Sequence, residues 1–383
     1  FRASAIMDAE KWKPTLSKKS LIYMSLVLAL FTGRCRYSLD DGGYDLSRFR
    51  DEPGLTEVPE ALRGLVATNG EAARRASTGS GGGALRFVVI GDTVSDGNRT
   101  FKGFLREIAA LDPPPAFIVH LGDRVVSPVA DFYGAYLRDI AGAPFPILHI
   151  DGNHDVREEG ARISRAFFGE TDLYFDRDGM RFVLLDDVHG DGRFGFTPAQ
   201  LEWLDGVLKE PTPARKFVFT HVPPKAPFRK ITPGPASLFT PRLENEEAFL
   251  AILARRGVVM AAFGHRHIHA SLVHDGVLMV ITGGGGQRNF LEPDIKGPLF
   301  TKKRHYSLID VPEPGLGGPF EGILSCVGNG PEVLFRTSFF QAGPLTAAGA
   351  GGVSLWPHTA PTGALSVTGR PAPVFSGGSS RTP

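Results

Sequence analysis

Cysteine is almost missing from this chain: Cys35 and Cys326 are the two it has in 383 residues. Two thiols cannot make a disulfide framework, and no CxxC zinc signature exists, so a bound metal is expected to rest on His, Asp and Asn. A dominant charge is lacking too. The net charge is +1 and the pI about 8.0, with basic residues dispersed, which excludes a clear electrostatic footprint for nucleic acid. The apolar stretch Leu21 to Thr32 is shorter than the ~20 residues a spanning helix needs. The glycine run Gly283 to Gly286 lacks the Lys-Ser/Thr of a phosphate-binding loop and predicts a tight backbone turn instead. With 42% hydrophobic and 22% charged residues, what remains is the composition of an ordinary globular enzyme with a large core.

The first residues carry an address rather than a fold. Lys11, Lys13, Lys18 and Lys19 precede the apolar stretch, as in a secretory signal, and Gly33-Arg34-Cys35 then resembles a lipoprotein cleavage site, with Arg34 departing from the usual small residue. The expectation is a signal or lipoprotein signal over 1–35, export to the cell envelope, and membrane attachment through that signal or a lipid on Cys35. A flexible spacer is expected over 36–84, ending in Ser80-Gly81-Gly82-Gly83, and a disordered low-complexity tail over 341–383.

Between them, residues 85–340 show a rhythm. Three apolar, β-branched runs end in polar residues: Phe87 to Ile90 in Gly91-Asp92, Phe117 to Leu121 in Gly122-Asp123, and Phe145 to Ile150 shortly before Gly152-Asn153-His154-Asp155. Asp92 and Asp123 are 31 positions apart and Asp123 and Asn153 are 30, the length of a strand–helix unit. Continuous apolar runs suit parallel strands buried on both faces, whose carboxyl ends share one edge. Helices are expected over 97–110, 131–140 and 244–256, and one opening at Thr197-Pro198 (Thr197 as cap, Pro198 in the first turn) with Leu201, Leu204 and Leu208 inward, with a hairpin around Asp178-Gly179. Further strands end at His221 and at Gly264-His265-Arg266-His267, followed by three helix-poor strands up to Val311.

Asp92, Asp123, Asn153, His221, His265 and His267 therefore converge, with His154 alongside. The other seven histidines read as structural or surface residues. Carboxylate, amide oxygen and imidazole together suit Mn, Fe, Zn, Ni or Co rather than calcium. Six donors exceed the needs of one ion and serve two divalent ions ~3.5–4 Å apart.

The ordered series GD, GD, GNHD, a strand-end His and GHxH resembles the calcineurin-like metallophosphoesterase superfamily. The resemblance implies an α/β fold, a four-layer α/β-β/α sandwich of two mixed sheets flanked by helices, with a dinuclear centre between them. It implies Asp92 and His267 on the first metal, Asp123 bridging, and Asn153, His221 and His265 on the second. It also implies His154 as the group that positions phosphate or protonates the leaving oxygen, with Asp155 orienting it, and a phosphate mono- or diester attacked by metal-activated hydroxide. The family's first motif is Asp-x-His, and here Val94 stands in the histidine's place. Purple acid phosphatases supply a tyrosine three places after the second Asp instead, where this chain has Val126. Asp96 is a candidate replacement. That departure keeps a second expectation open, a catalytically degenerate member that binds a phospho-ligand or a partner without turnover.

Overall fold

The computed structural model describes residues 64–79, 84–94, 99–157, 160–209, 213, 215–229, 241–286, 299–312, 320–330, 332–341 and 353–357. The signal at 1–35, Cys35, Asp96 and most of the tail lie outside the described residues. Among the described residues no helix is long and apolar enough to cross a membrane.

The rhythm read from the runs is realised. Strands β1 (Leu85–Ile90), β2 (Ile118–His120) and β3 (Ile147–His149) pair in parallel. Helices α2 (Arg99–Ala109) and α3 (Ala130–Ile140) connect them, α2 with Phe101, Phe104, Leu105 and Ile108 buried on one face. β11 (His305–Val311) joins the other side of β1 antiparallel, and β12 (Phe320–Gly328), β13 (Val333–Gln341) and β14 (Val353–Pro357) continue from it. The first sheet thus runs β14-β13-β12-β11-β1-β2-β3.

The second sheet runs β10-β8-β9-β7-β6-β5-β4. Its parallel middle is β5 (Met180–Leu184), β6 (Arg215–Phe219), β7 (Met260–Phe263) and β9 (Val277–Thr282). β4 (Leu173–Arg177), β8 (His269–His274) and β10 (Phe300–Thr301) are antiparallel to their neighbours. Asp178-Gly179 and Asp275-Gly276 close two hairpins with both residues at positive φ, the geometry that matches the strands' twist.

Phenylalanine holds the sheets together. Phe87, Phe117, Phe175, Phe182, Phe217 and Phe219 are buried in one cluster drawn from both sheets, with ring centroids 5.0–5.6 Å apart for pairs such as Phe117 with Phe182 and Phe87 with Phe217. Such edge-to-face packing adds ~0.5–1.5 kcal/mol per pair beyond area burial. The outer face of the second sheet is covered by α5 (Pro198–Lys209) and α7 (Glu246–Arg255) through Leu201, Leu204, Leu208, Phe249 and Leu253. Thr197 and Gln200 cap α5 reciprocally, as the Thr-Pro signal suggested. Helix α4 (Gly160–Phe168) and the one-turn α6 (Lys225–Phe228) complete the order.

Two readings need correction. Residues 69–77 were expected inside a spacer but form α1 (Asn69–Ser77), capped by a Thr68–Glu71 box. Asn69 donates to the His149 carbonyl at 2.9 Å and accepts from the His149 N–H at 2.8 Å, so its amide stands in for a further strand at the β3 edge. The Gly and Ser around it hid a nine-residue helix whose buried face is mostly alanine. In the tail, residues 353–357 pair with β13 as β14 because a sheet edge offers unpaired backbone groups to any short β-forming segment.

Candidate metal centre

Each candidate residue sits where a strand ends and its chain must turn away at once. Asp92, Asp123 and His265 adopt left-handed backbone, with φ of 58°, 54° and 62°. Non-glycine residues there cost about 1–3 kcal/mol and cluster at functional sites. The turns lock to one another through the backbone: Asp92 N–H donates to the Gly122 carbonyl (3.0 Å), Thr93 N–H to Asp123 (3.1 Å) and Gly264 N–H to His221 (2.9 Å). Glycines make that closeness feasible. A Cβ on Gly152 would lie 2.3 Å from Asp123 Oδ1, and one on Gly283 2.6 Å from Asp92 Oδ2. The run Gly283 to Gly286 is therefore a close backbone approach, as expected, with Gly285 N–H bonded to the Gly91 carbonyl at 2.9 Å.

The eight residues singled out do come together. Asp92 is wholly buried; its Oδ2 accepts from His265 N–H at 2.9 Å and its Oδ1 lies 3.4 Å from His267 Nε2. Asp123 accepts from His154 N–H at 2.9 Å and lies 3.6 Å from His221 Nε2. His221 Nδ1 donates to the Leu121 carbonyl at 2.6 Å, which leaves Nε2 as the atom free to ligate. That Nε2 and His265 Nδ1 are 3.3 Å apart, and both face Asn153 Oδ1, at 3.2 and 2.8 Å. Donor atoms of Asp123, His221 and His265 lie within 4.8 Å of one another. Asn153, His154, His265 and His267 are only half-buried, so the cluster opens to solvent on that side.

The donors fit a cation. Asp92 Oδ1 is a buried acceptor with no hydrogen bond among the described residues. Burial and the nearby Asp123 push the Asp92 carboxyl well above its usual range. For Asp123, burial is outweighed by His221, His154 and His265, which hold it below that range. Burial, followed by His221, presses the His265 imidazole down to about 3, so its lone pair is available. His221 is raised: burial opposes its charge, but Asp123, Asp92 and Asp187 outweigh it. Two buried carboxylates facing two neutralisable imidazoles is an arrangement that positive charge stabilises.

Asp155 does not orient His154. Its carboxylate is wholly buried and accepts from the N–H groups of Arg124 (3.0 Å), Val125 (3.3 Å) and Gly152 (2.8 Å) while pairing with the Arg124 guanidinium at 3.4 Å. It ties the second strand-end turn to the third. His154 Nδ1 meets the Val126 carbonyl at 3.1 Å instead. Position 126, where a tyrosine was sought, thus contributes its backbone. Val94, two residues after Asp92, is buried and offers no donor. Arg266, between His265 and His267 in the chain, is buried.

Two residues escaped the reading of the sequence. Arg124 is fully buried, pairs with Asp151 and Asp155, and lies 4.4 Å over the Phe168 ring. Asp187 is wholly buried and accepts the N–H groups of His221 (3.1 Å) and Val222 (2.8 Å), holding that turn in place; burial raises its carboxyl to about 6. The signal for Asp187 was present: the apolar run Phe182 to Leu185 ends in Asp186-Asp187, much as the other runs end in Gly-Asp.

Residues 85–269 match the family model described as calcineurin-like phosphoesterase. All six candidate metal ligands, Asp92 to His267, lie within that match. A relative, the serine/threonine-protein phosphatase CPPED1 of Danio rerio, is 26% identical over 227 residues, 53% of this chain and 72% of the relative. Among solved structures, the purple acid phosphatase PPD1 of yellow lupin (Lupinus luteus) superposes with a TM-score of 0.52 at 13% identity, covering 67% of this chain and 53% of that one. GAP50, described as the anchor in the inner membrane complex of Plasmodium, gives 0.50 at 13% identity over 70% of this chain and 90% of its own. These two establish a shared fold: two mixed sheets with flanking helices, the calcineurin-like sandwich.

Proposed function

We propose that the protein is a metal-dependent phosphoesterase that hydrolyses phosphate mono- or diesters. The observation that carries this reading is the donor cluster itself, above all the buried, unpartnered Asp92 Oδ1 beside His267. In this reading Asp92 and His267 hold one divalent ion, Asn153, His221 and His265 hold a second, and Asp123 is shared. Ions bound there supply charge for the anionic ester and acidify water towards neutral pKa. The chain's own part is positioning. Leu121 and Asp187 fix His221, Asn153 faces both second-site imidazoles, and the half-buried side admits the ester. His154 donates from Nδ1 to the Val126 carbonyl, which leaves Nε2 to hold the phosphate or pass a proton to the leaving alkoxide. The phosphatase named among the relatives supports the same class of reaction.

One observation favours a second reading. Val94 fills the place of a metal ligand with a buried aliphatic side chain, and a chain so altered could bind a phospho-ligand or a partner without turning it over. Metal content per chain, measured without chelator, together with turnover of p-nitrophenyl phosphate and bis-p-nitrophenyl phosphate after manganese addition, separates the two. The enzyme reading expects about two metals and turnover that is lost in Asp123→Asn. Metal-loaded protein inert towards both esters supports the binding reading. Export to the envelope rests on the pattern at 11–35 and belongs to the same proposal; its check is labelled-lipid incorporation that Cys35→Ser abolishes.

A further inference from the structure

Three buried side chains of metal-binding type take no part in that centre. His269 opens β8, His305 opens β11 and Cys326 lies on β12, so the two sheets bring them together from positions far apart in sequence. All three are wholly buried, and one donor atom from each lies within 4.8 Å of the others. The imidazole rings meet edge to face at 5.3 Å.

Their hydrogen bonding is incomplete. His305 Nδ1 donates to the Lys303 carbonyl at 2.8 Å, which places the lone pair on Nε2, and Nε2 is buried with no partner among the described residues. His269 Nδ1 lies 3.4 Å from Ser307 Oγ, and its Nε2 is likewise buried and unpartnered. Buried polar atoms left this way are costly, so a pair of them in the core calls for an occupant. Burial presses the His305 imidazole down to about 4. The pocket is shaped around them: Phe335 packs against His269 at 4.5 Å, and a Cβ on Gly284 would lie 2.1 Å from His305 Nδ1.

We propose that His269, His305 and Cys326 form a second metal site, separate from the phosphoesterase centre, that takes a monovalent thiophilic cation of the Cu(I) class. Two imidazoles and a thiolate are a donor set of the right softness. On binding, the Cys326 S–H bond breaks, its proton leaves to solvent, and sulfur bonds the cation. Thiolate and monovalent cation then sum to zero charge. That matters because all three side chains are wholly buried. A divalent ion would leave a net positive charge in an apolar interior without a counter-charge. The expectation that any metal rests on His, Asp and Asn thus misses Cys326, whose partners are histidines rather than a second cysteine.

The site shares no residue with the candidate metal centre, and its test is independent of phosphoesterase activity. Full-length protein carrying Cys35→Ser, so that Cys326 is its one cysteine, is stripped of metal and titrated anaerobically against Cu(I)–bicinchoninate. One equivalent of Cu(I) should be withdrawn from the chelator. Its X-ray absorption should show one sulfur and two nitrogen neighbours, a readout needing no change at the site. Asp123→Asn should retain the equivalent and Cys326→Ala should lose it. Withdrawal undiminished in Cys326→Ala, a copper spectrum without sulfur, or uptake of Zn(II) through Cys326 with none of Cu(I) overturns the proposal.

Discussion

At the scale of single residues, the centre is built from side chains whose own backbones are under constraint. Asp92, Asp123 and His265 take left-handed φ two or three residues past the end of their strands, where the chain turns away. Val94 stands where the resembling family's first motif has a histidine. Introducing Val94→His should raise metal content and tighten the weaker of two binding steps at least about tenfold, ~1.4 kcal/mol. Calorimetric titration with Mn(II) measures it; identical isotherms for both proteins would show that position 94 does not face the metal. Asp155 shows the limit of reasoning from adjacency. Its neighbour in sequence is His154, yet its oxygens are consumed by three backbone N–H groups and Arg124. A carboxylate beside a histidine in the chain points to a different loop because successive turn residues project in different directions.

At the scale of elements, strands and their terminal turns were legible and helices hidden among small residues were not. The strands announced themselves through continuous apolar runs. α1 did not, because Ala72, Ala73 and Ala76 give a weak hydrophobic signal while still joining the buried core. Its link to the sheet is the Asn69 amide on His149. Asn69→Ala leaves the His149 carbonyl and N–H without that partner, and should lower stability by about 1–3 kcal/mol. Urea midpoints compare the two proteins, and coincident curves would mean that α1 is held by its alanines alone. β12 and β13 also went unread, since polar and small residues break their apolar runs: Glu321, Gly322 and Ser325 in one, Arg336, Thr337 and Ser338 in the other.

At the scale of the molecule, two consequences follow from burying so many ionisable groups between sheets. Asp92 and Asp123 repel within a buried site, so cations bound there would stabilise the fold. Loss of metal bound at ~100 times its dissociation constant removes ~2.7 kcal/mol. Chelation should therefore lower the melting temperature by about 5–10 °C for a domain of this size, as calorimetry with and without EDTA would show. An unchanged transition would argue against metal at this centre. The second consequence concerns His149, which burial, Arg124 and His120 keep neutral. Its folded pKa lies below the unfolded value of ~6.5, so the stability it contributes is present above pH 6.5 and lost as pH falls below it. Buried carboxylates such as Asp187 act with the opposite sign, because their folded pKa values are raised. The difference between wild type and His149→Phe isolates the histidine. That difference should shift against wild type by up to ~1.4 kcal/mol per pH unit below ~6.5; a pH-independent difference would contradict burial of a neutral ring.

The sequence alone determined the order of strands ending in Asp, Asp, Asn-His, His and His-x-His, and hence the family resemblance, the sandwich and the donors available to a metal. It could do so because strand periodicity and turn chemistry are local, and parallel strands necessarily gather their carboxyl ends. Which atoms meet is not local. That His221 is held by Leu121 and Asp187, that Asp155 belongs to Arg124, and that His269, His305 and Cys326 share one pocket were decided by the packing of two sheets. Residues more than thirty positions apart are joined there by contacts to which no pattern along the chain corresponds.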